Sequence, residues 1–465
     1  MIIEQLYTNC LAQGAYYIQS EGECAVIDPL REYSTYVDLA NKNKAKIKYI
    51  FETHFHADFV SGHLDLSKKT GAEIIFGPSA ETSFKSTIAS DGQEFKIGKL
   101  TIKTLHTPGH TLESSCFLLL NENQKPICVF TGDTLFIGDV GRPDLAIKSD
   151  LTQEDLAGML YNSLRTKIMT LPDDVIIYPA HGAGSACGKN MSKETFDTLG
   201  NQKKLNYALA NITKEEFIKE LTTGILPAPQ YFEKNAMLNK NGYHSVDNAK
   251  ENGANALNAE EVKLLISTSN ALILDVRNPV DFAKEYIPNS IFIGIDGQFA
   301  PWVGVIIKEL NQPIILVTPV GREQETVLRL SRVGYDNCLG YFKDGIEEWK
   351  KQGNTTESIN SISATDFSEK FNSSVLNVLD VRKPGEYESN HIDNVFSFPL
   401  DFIEQWQLNL SKDKEYYIHC AGGYRSMIAA SLLKRLGYAN VIDVVGGFAA
   451  INNTDIKLIS KTCTK

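Results

Sequence analysis

The chain of 465 residues has no apolar run near the roughly 20 residues needed to span a bilayer. It also lacks a positive excess. Its 46 Lys and Arg are outnumbered by 57 Asp and Glu, a net charge of -11, which argues against a nucleic-acid or anionic-membrane partner. The start, Met1-Ile2-Ile3-Glu4-Gln5, carries an acid where a signal peptide wants base, and no apolar core follows. The expectation is a cytoplasmic protein. Cysteine is sparse: Cys10, Cys24, Cys116, Cys128, Cys187, Cys338, Cys420 and Cys463 form neither CxxC pairs nor a dense framework. In a reducing compartment the question is then which thiol reacts. What is present, 43% hydrophobic and 22% charged residues, is the composition of a soluble globular protein. The length suggests about three domains at ~150 residues each.

The polar residues gather at strand exits. The apolar run Ile47 to Phe51 predicts a buried strand, and Asp65 to Thr70 predicts part of a helix. Between them stands Thr53-His54-Phe55-His56-Ala57-Asp58-Phe59-Val60-Ser61-Gly62-His63. Residues two apart on an extended segment share a side, so His54 and His56 face one pocket, with the Asp58 carboxylate nearby. A lone His is more often an ordinary core or surface residue; two His and an Asp within five positions point to a metal. The design recurs. Leu100 to Leu105 leads into His106-Thr107-Pro108-Gly109-His110, Ile127 to Phe130 into Thr131-Gly132-Asp133, and Val175 to Tyr178 into Pro179-Ala180-His181-Gly182. Gly109, Gly132 and Gly182 permit the tight turns of such a site.

The order His54-x-His56-x-Asp58, then His110, Asp133 and His181, resembles the metallo-β-lactamase superfamily over roughly residues 1 to 240. That resemblance implies an αββα sandwich with its metals at one sheet edge. One departure stands out: dinuclear zinc hydrolases of the superfamily carry a His directly after the motif Asp, and this chain has Phe59. A phenyl ring donates no lone pair, so a second metal keeps only Asp58, His181 and a shared Asp133. Two His and one carboxylate with open positions are what mononuclear Fe(II) enzymes that handle O2 require. The superfamily's persulfide dioxygenases are of this kind. The resemblance implies one Fe(II) per chain on His54, His110 and Asp133, with zinc as the alternative. His56, Asp58 and His181 then orient those ligands or serve a secondary metal. Gly141-Arg142-Pro143-Asp144 and Leu226-Pro227-Ala228-Pro229-Gln230 also look like that group. Arg142 and Asp144 are candidates for an anionic substrate contact, the alternative being a plain surface pair. His63 and His106 read as structural. Cys187, six positions past His181 in a Gly-rich loop, is a candidate to meet a sulfur substrate or else an inert loop thiol.

After a Pro-, Asn- and Gly-rich stretch from Gly224 to Asn258 the chain repeats itself. Leu274-Asp275-Val276-Arg277-Asn278-Pro279 recurs 105 positions later as Leu379-Asp380-Val381-Arg382-Lys383-Pro384, and Gly345-Ile346 recurs as Gly447-Phe448. Each copy alternates strand and helix. Both resemble rhodanese domains, over roughly residues 258 to 460. In the second copy, strand Tyr416 to His419 enters Cys420-Ala421-Gly422-Gly423-Tyr424-Arg425-Ser426, matching the rhodanese C-x-x-G-x-R active loop. Backbone N–H groups, Gly422 and Gly423 among them, would curl around the sulfur. With the helix N-terminus and Arg425 they favour an anionic persulfide and a lowered thiol pKa. In the first copy Thr318-Pro319-Val320-Gly321-Arg322 is one residue shorter, puts a hydroxyl at the nucleophile's place and loses an N–H at Pro319. That copy is expected to be inactive, a spacer or docking surface.

The expected architecture is α/β multidomain: 1–240 an αββα sandwich, 241–257 a linker, 258–355 an inactive rhodanese-like domain and 356–465 an active one. The whole resembles persulfide dioxygenase–rhodanese fusions. The resemblance implies oxidation of a small thiol persulfide by O2 to sulfite and thiol, coupled to sulfur transfer at Cys420 that interconverts persulfide plus sulfite and thiosulfate plus thiol in either direction, in sulfide or persulfide detoxification. The runner-up is a zinc thioester hydrolase of glyoxalase II type with an appended sulfur carrier. The partners expected are small-molecule persulfide, O2, sulfite and thiosulfate, with no nucleic acid and no membrane; homo-oligomerisation is left open.

Overall fold

Strands in the first half are apolar on both faces, so they need cover on both. In Gln13–Ser20, Tyr16 and Ile18 point into one buried cluster while Ala15 and Tyr17 point into another. Such near-continuous apolar runs suit a sheet sandwiched between a partner sheet and helices. The computed structural model, which describes residues 1–146, 151–343 and 345–460, shows that arrangement. Cys463 lies outside the described residues. One six-stranded sheet runs Ile2–Thr8, Gln13–Ser20, Glu23–Ile27, Lys46–Glu52, Glu73–Phe76, Thr87–Ile88 in chain order. The other runs Asp197–Thr198, Ile176–Pro179, Pro126–Gly132, Ser115–Leu120, Leu100–His106, Glu94–Ile97. Between them lie Tyr16, Phe51, Phe117 and Phe130, with Phe51 and Phe117 ring centroids 4.8 Å apart. Helix Tyr33–Lys42 covers the outer face of the first sheet through Tyr36 and Ala40. Helix Gln153–Ser163, started by a Thr152–Asp155 capping box, packs Ala157 and Leu160 on the second. The αββα expectation is met.

The chain divides into two compact units, the first being Met1–Asn248 with Leu328–Asp336 and the second Ala249–Val327 with Asn337–Lys465. Part of the expected linker is ordered: Val246–Gly253 is a helix, with Val246 and Ala249 buried. Its Gly- and Asn-rich composition masked two apolar side chains three apart, enough to seat a two-turn helix.

In the second unit the repeat is visible as matching parallel sheets. The first copy orders its strands Ala256–Leu257, Cys338–Phe342, Ile314–Val317, Leu272–Asp275, Ile291–Phe292; the second orders Asn360–Ile362, Val441–Val444, Tyr416–His419, Val378–Asp380. The duplicated Asp–x–Arg is an internal brace: Arg277 forks onto Asp275 and Arg382 onto Asp380, each at 2.6 Å. Helix Tyr424–Arg435 buries seven of its twelve residues. Phe292 of the first copy donates its N–H to Ser431 Oγ of this helix at 3.1 Å. No described helix is long and apolar enough to cross a membrane.

Candidate metal centre and thiol loop

Strands Lys46–Glu52, Leu100–His106, Pro126–Gly132 and Ile176–Pro179 each end within a few residues of a candidate ligand. Their exits bring His54, His110 and Asp133 together, with one donor atom from each within 4.8 Å of the others and all three buried. His110 Nε2 lies 3.5 Å, and His54 Nε2 3.9 Å, from Asp133 Oδ2. The outward nitrogens are committed. His110 Nδ1 faces the Arg142 carbonyl at 2.8 Å; a carbonyl only accepts, so Nδ1 carries the proton and Nε2 a free lone pair. Thr53 Oγ1 donates to Asp28 Oδ2 at 2.9 Å and sits 3.0 Å from His54 Nδ1. With its proton spent on Asp28, the hydroxyl accepts from His54 and turns that Nε2 lone pair inward as well. Burial, then the neighbouring His56, pushes His54 well below the ordinary imidazole value, so it stays neutral. Burial would raise the Asp133 carboxyl, but His181, His54 and His110 outweigh it and hold it low. Asp133 Oδ2 is buried without a hydrogen-bond partner among the described residues. Two inward lone pairs and an orphaned carboxylate oxygen fit a divalent first-row ion. Close packing maintains the cluster: a Cβ at Gly132, whose φ is 53°, would stand 2.5 Å from Thr53 Oγ1.

The remaining motif residues divide. His56 Nε2 lies 3.1 Å from Asp28 Oδ1 and 3.5 Å from Glu52 Oε2. Burial works against its charge, yet Asp28 and Glu52 raise it to about 10. Its ring stacks on Phe59, centroids 4.3 Å apart. His181 Nδ1 lies 2.7 Å from Asp133 Oδ1, and its Nε2 lies 2.8 Å from Asp58 Oδ2. Cys187 is buried near Asp58 and His181, their donor atoms within 4.8 Å of one another. Burial, then Asp58 and Asp133, pushes its thiol well up, which argues against an unaided thiolate. His63 is buried against Glu52 at 3.2 Å, and His106 Nε2 donates to the Leu112 carbonyl at 3.0 Å. Arg142 is buried, and most of its guanidinium is committed within the protein. Its fork holds Asp144 at 2.6 and 2.7 Å and the Ala186 and Leu226 carbonyls, while its own N–H meets the Cys187 carbonyl. With four of its five guanidinium N–H donors committed, Arg142 and Asp144 brace the Cys187 loop. Sequence reasoning missed Tyr231, whose buried hydroxyl is pushed up by burial and then by Asp58 and Cys187.

In the second unit, strand Tyr416–His419 hands the chain to Cys420, and helix Tyr424–Arg435 begins four residues later. The Gly423 N–H donates to Cys420 Sγ at 3.1 Å, with Ser426 Oγ at 3.6 Å. Gly423 has φ 102°, a conformation that aims this N–H at sulfur. The loop is clamped behind by the Phe448 N–H on the Cys420 carbonyl at 2.6 Å; a Cβ at Gly447 would sit 2.4 Å from that oxygen. Arg425 differs from expectation. Both its terminal nitrogens bind Glu386, at 2.6 and 2.8 Å, so its charge is already matched. Glu386 had a signal in the repeat, since Asp281 stands 105 positions earlier. A cavity of about 430 Å³ opens on Cys420 and Gly422, and its wall includes Gly297, Gln298 and Trp302 of the first copy and Lys383 of the second. The first copy is therefore part of the pocket. Its own loop, from Thr318, ends at Arg322, which is bound to Glu325 and Asp296.

The profile described as Metallo-beta-lactamase superfamily matches residues 9–181, and that of the Rhodanese-like domain matches 258–352 and 363–454. A probable hydroxyacylglutathione hydrolase of Schizosaccharomyces pombe is 33% identical over 162 residues, covering 34% of this chain and 59% of that protein. The mitochondrial persulfide dioxygenase ETHE1 of Homo sapiens is 30% identical over 213 residues, covering 45% of this chain and 76% of that one. Among solved structures, a metallo-beta-lactamase from Staphylococcus aureus is 30% identical with a TM-score of 0.65, over 74% of this chain and 98% of that one.

Proposed function

Because the chain belongs to the metallo-beta-lactamase superfamily, as a fusion with two rhodanese-like domains, we propose that it is a non-haem Fe(II) persulfide dioxygenase coupled to a sulfurtransferase. The observation that carries this reading is the buried pair of inward-facing imidazole nitrogens beside the orphaned Asp133 oxygen. Such a donor set leaves coordination positions open. Bound iron would supply the electrons and open positions that bring a persulfide sulfur and O2 together. The overall change is RSSH + O2 + H2O giving RSH + sulfite + 2 H⁺. The protein's part is to hold three ligands in one protonation state: Thr53 and the Arg142 carbonyl orient the imidazoles, and His181 keeps Asp133 ionised.

At the second centre Cys420, in its thiolate form, attacks a sulfane sulfur, forming Cys–S–S⁻ and releasing the former carrier; attack by sulfite on the outer sulfur then gives thiosulfate and regenerates the thiolate. The Gly423 N–H and the helix start stabilise the anionic persulfide. With Arg425 neutralised by Glu386, Lys383 is the cationic side chain in the cavity wall that we assign to the incoming anion. We place this chemistry in sulfide or persulfide detoxification in a reducing, cytoplasmic setting.

The hydroxyacylglutathione hydrolase relative favours a second reading, zinc-dependent thioester cleavage. Metal quantification with oxygen uptake on a defined persulfide decides between them. The expectation is one iron per chain with O2 consumed, and Asp133→Ala losing both metal and uptake by about 100-fold or more. Paired zinc with thioester cleavage and no O2 uptake would establish the second reading.

A further inference from the structure

A buried carboxylate stands behind the thiol of the second unit. Strand Val441–Val444 runs parallel to Tyr416–His419, with Asp443 beside Ile418, two residues before Cys420. Helix Tyr424–Arg435 packs on the same strand. Its third residue, Ser426, is fully buried and touches both groups: the Cys420 thiol donates to Ser426 Oγ at 3.6 Å, and Ser426 is the hydrogen-bond donor facing Asp443. We propose that Cys420, Ser426 and Asp443 form a proton relay, in which Asp443 is a positioning residue that takes up the thiol proton through the Ser426 hydroxyl. The proposal rests on the sulfurtransferase reading and adds the group that generates the thiolate.

Asp443 is built to hold a proton. Its Oδ1 is buried without a hydrogen-bond partner among the described residues. Burial raises its carboxyl to about 6; the Ser426 hydrogen bond opposes that, and no cation among the described residues pairs with it. An unpaired buried carboxylate is costly, and a proton relieves it. In the relay the Cys420 S–H bond breaks as Ser426 Oγ takes its proton, and the former Ser426 O–H bond breaks as an Asp443 oxygen takes that one. The electron pair stays on sulfur, so Cys–SH and Asp–COO⁻ become Cys–S⁻ and Asp–COOH. One negative charge has moved and none is created, so no additional charge is desolvated. It arrives where the Gly423 N–H, 3.1 Å from Sγ, stabilises it. The Ser426 hydroxyl then points at sulfur and supports the anionic persulfide formed next.

The other charged groups near the thiol are otherwise engaged or aimed. Arg425 is held by Glu386, Lys383 lines the cavity, and His419, kept below the ordinary imidazole value by burial, faces Asp380 at 3.8 Å. The first copy, with Thr318 in place of the thiol, has Glu323 and Tyr341 in the places matching Ser426 and Asp443, so it lacks the whole relay.

The test treats full-length wild type, Asp443→Asn and Ser426→Ala with iodoacetamide and follows alkylation of the Cys420 peptide by mass spectrometry from pH 5 to 8. The wild-type rate should rise through about pH 6, where Asp443 ionises and becomes able to accept. Asp443→Asn should lack that rise and react at least about 10-fold more slowly at pH 7. Ser426→Ala should lose as much, and the double variant no more than either. If Ser426→Ala does not fold, the pH profile of Asp443→Asn decides alone. Equal rates in wild type and Asp443→Asn at pH 7, a rise through pH 6 that persists in Asp443→Asn, or additive losses would each overturn the relay. Iodoacetamide needs no sulfane sulfur, and thiosulfate formation is measured separately. The expected profile without any thiosulfate would thus support the relay while sinking the sulfurtransferase reading.

Discussion

The two copies of the repeat share a strand order yet end their central strands on different chemistry. Ile314–Val317 delivers Thr318 and Pro319, whereas Tyr416–His419 delivers Cys420 and Ala421. With Arg322 matched to Arg425, Ser426 behind the thiol corresponds to Glu323; with Gly345 matched to Gly447, Asp443 corresponds to Tyr341. The Asp–x–Arg brace survives in both copies because it holds the sheet end and not the reaction. The first copy has Thr318 where the second has Cys420, but it supplies Gly297, Gln298 and Trp302 to the cavity on Cys420. These three residues give the first copy a place in the pocket beside the spacer or docking role expected of it. The frame and the reactive loop are thus under separate physical demands: packing retains the one, and a few atoms near sulfur decide the other.

The largest way to break this contrast is Cys420→Ser, which gives the second copy a hydroxyl like that of Thr318. Thiosulfate formation should fall by about 10³-fold or more, since an unactivated hydroxyl carries no sulfane sulfur. Sulfite production from persulfide should continue; thiosulfate made at an unchanged rate would remove Cys420 from the scheme. Next comes Asp443. Burial raises its carboxyl from 3.8 to about 6, against a hydrogen bond from Ser426. A raised carboxyl favours the native state below the unfolded value, and that stability is lost as pH rises through about 6. Once ionised, the group costs up to about 3 kcal/mol. Asp443→Asn should therefore be more stable than wild type at pH 7 and equal to it near pH 3.5, checked by urea unfolding across that range. A constant difference would show that burial does not shift this group. The smallest expected effect is the converse substitution. Thr318→Cys in a Cys420→Ser background should restore no measurable sulfur transfer, because Pro319 still removes an N–H and the loop stays one residue short. Recovery of transfer would show that the thiol alone separates the copies.

Much of this was legible along the chain where the signal is local. Strands Ile314–Val317 and Tyr416–His419 appear where apolar runs place them, and the candidate ligands follow strand exits as expected from the sequence. The helix Val246–Gly253 was hidden because its anchors are two side chains in a Gly- and Asn-rich stretch. The commitments of long side chains were less visible. Arg425 reaches Glu386 across 39 positions, and Arg142 spends its fork on Asp144 and two distant carbonyls. Neither pairing leaves a periodicity to read, since a flexible side chain binds whatever folding brings within reach.

Alone, the order of residues determined that imidazoles, carboxylates and one loop thiol would stand at strand ends, and that a module was duplicated with the C-x-x-G-x-R loop in one copy. These follow from alternation, turn chemistry and identity of side chains, which act over a few bonds. Only the tertiary structure decided which nitrogen of His54 and His110 faces inward, that Arg425 is already neutralised, and that Cys187 approaches Asp58 from 129 positions away. Those outcomes depend on packing between distant segments, where a shift of an ångström changes a partner and no local pattern records it.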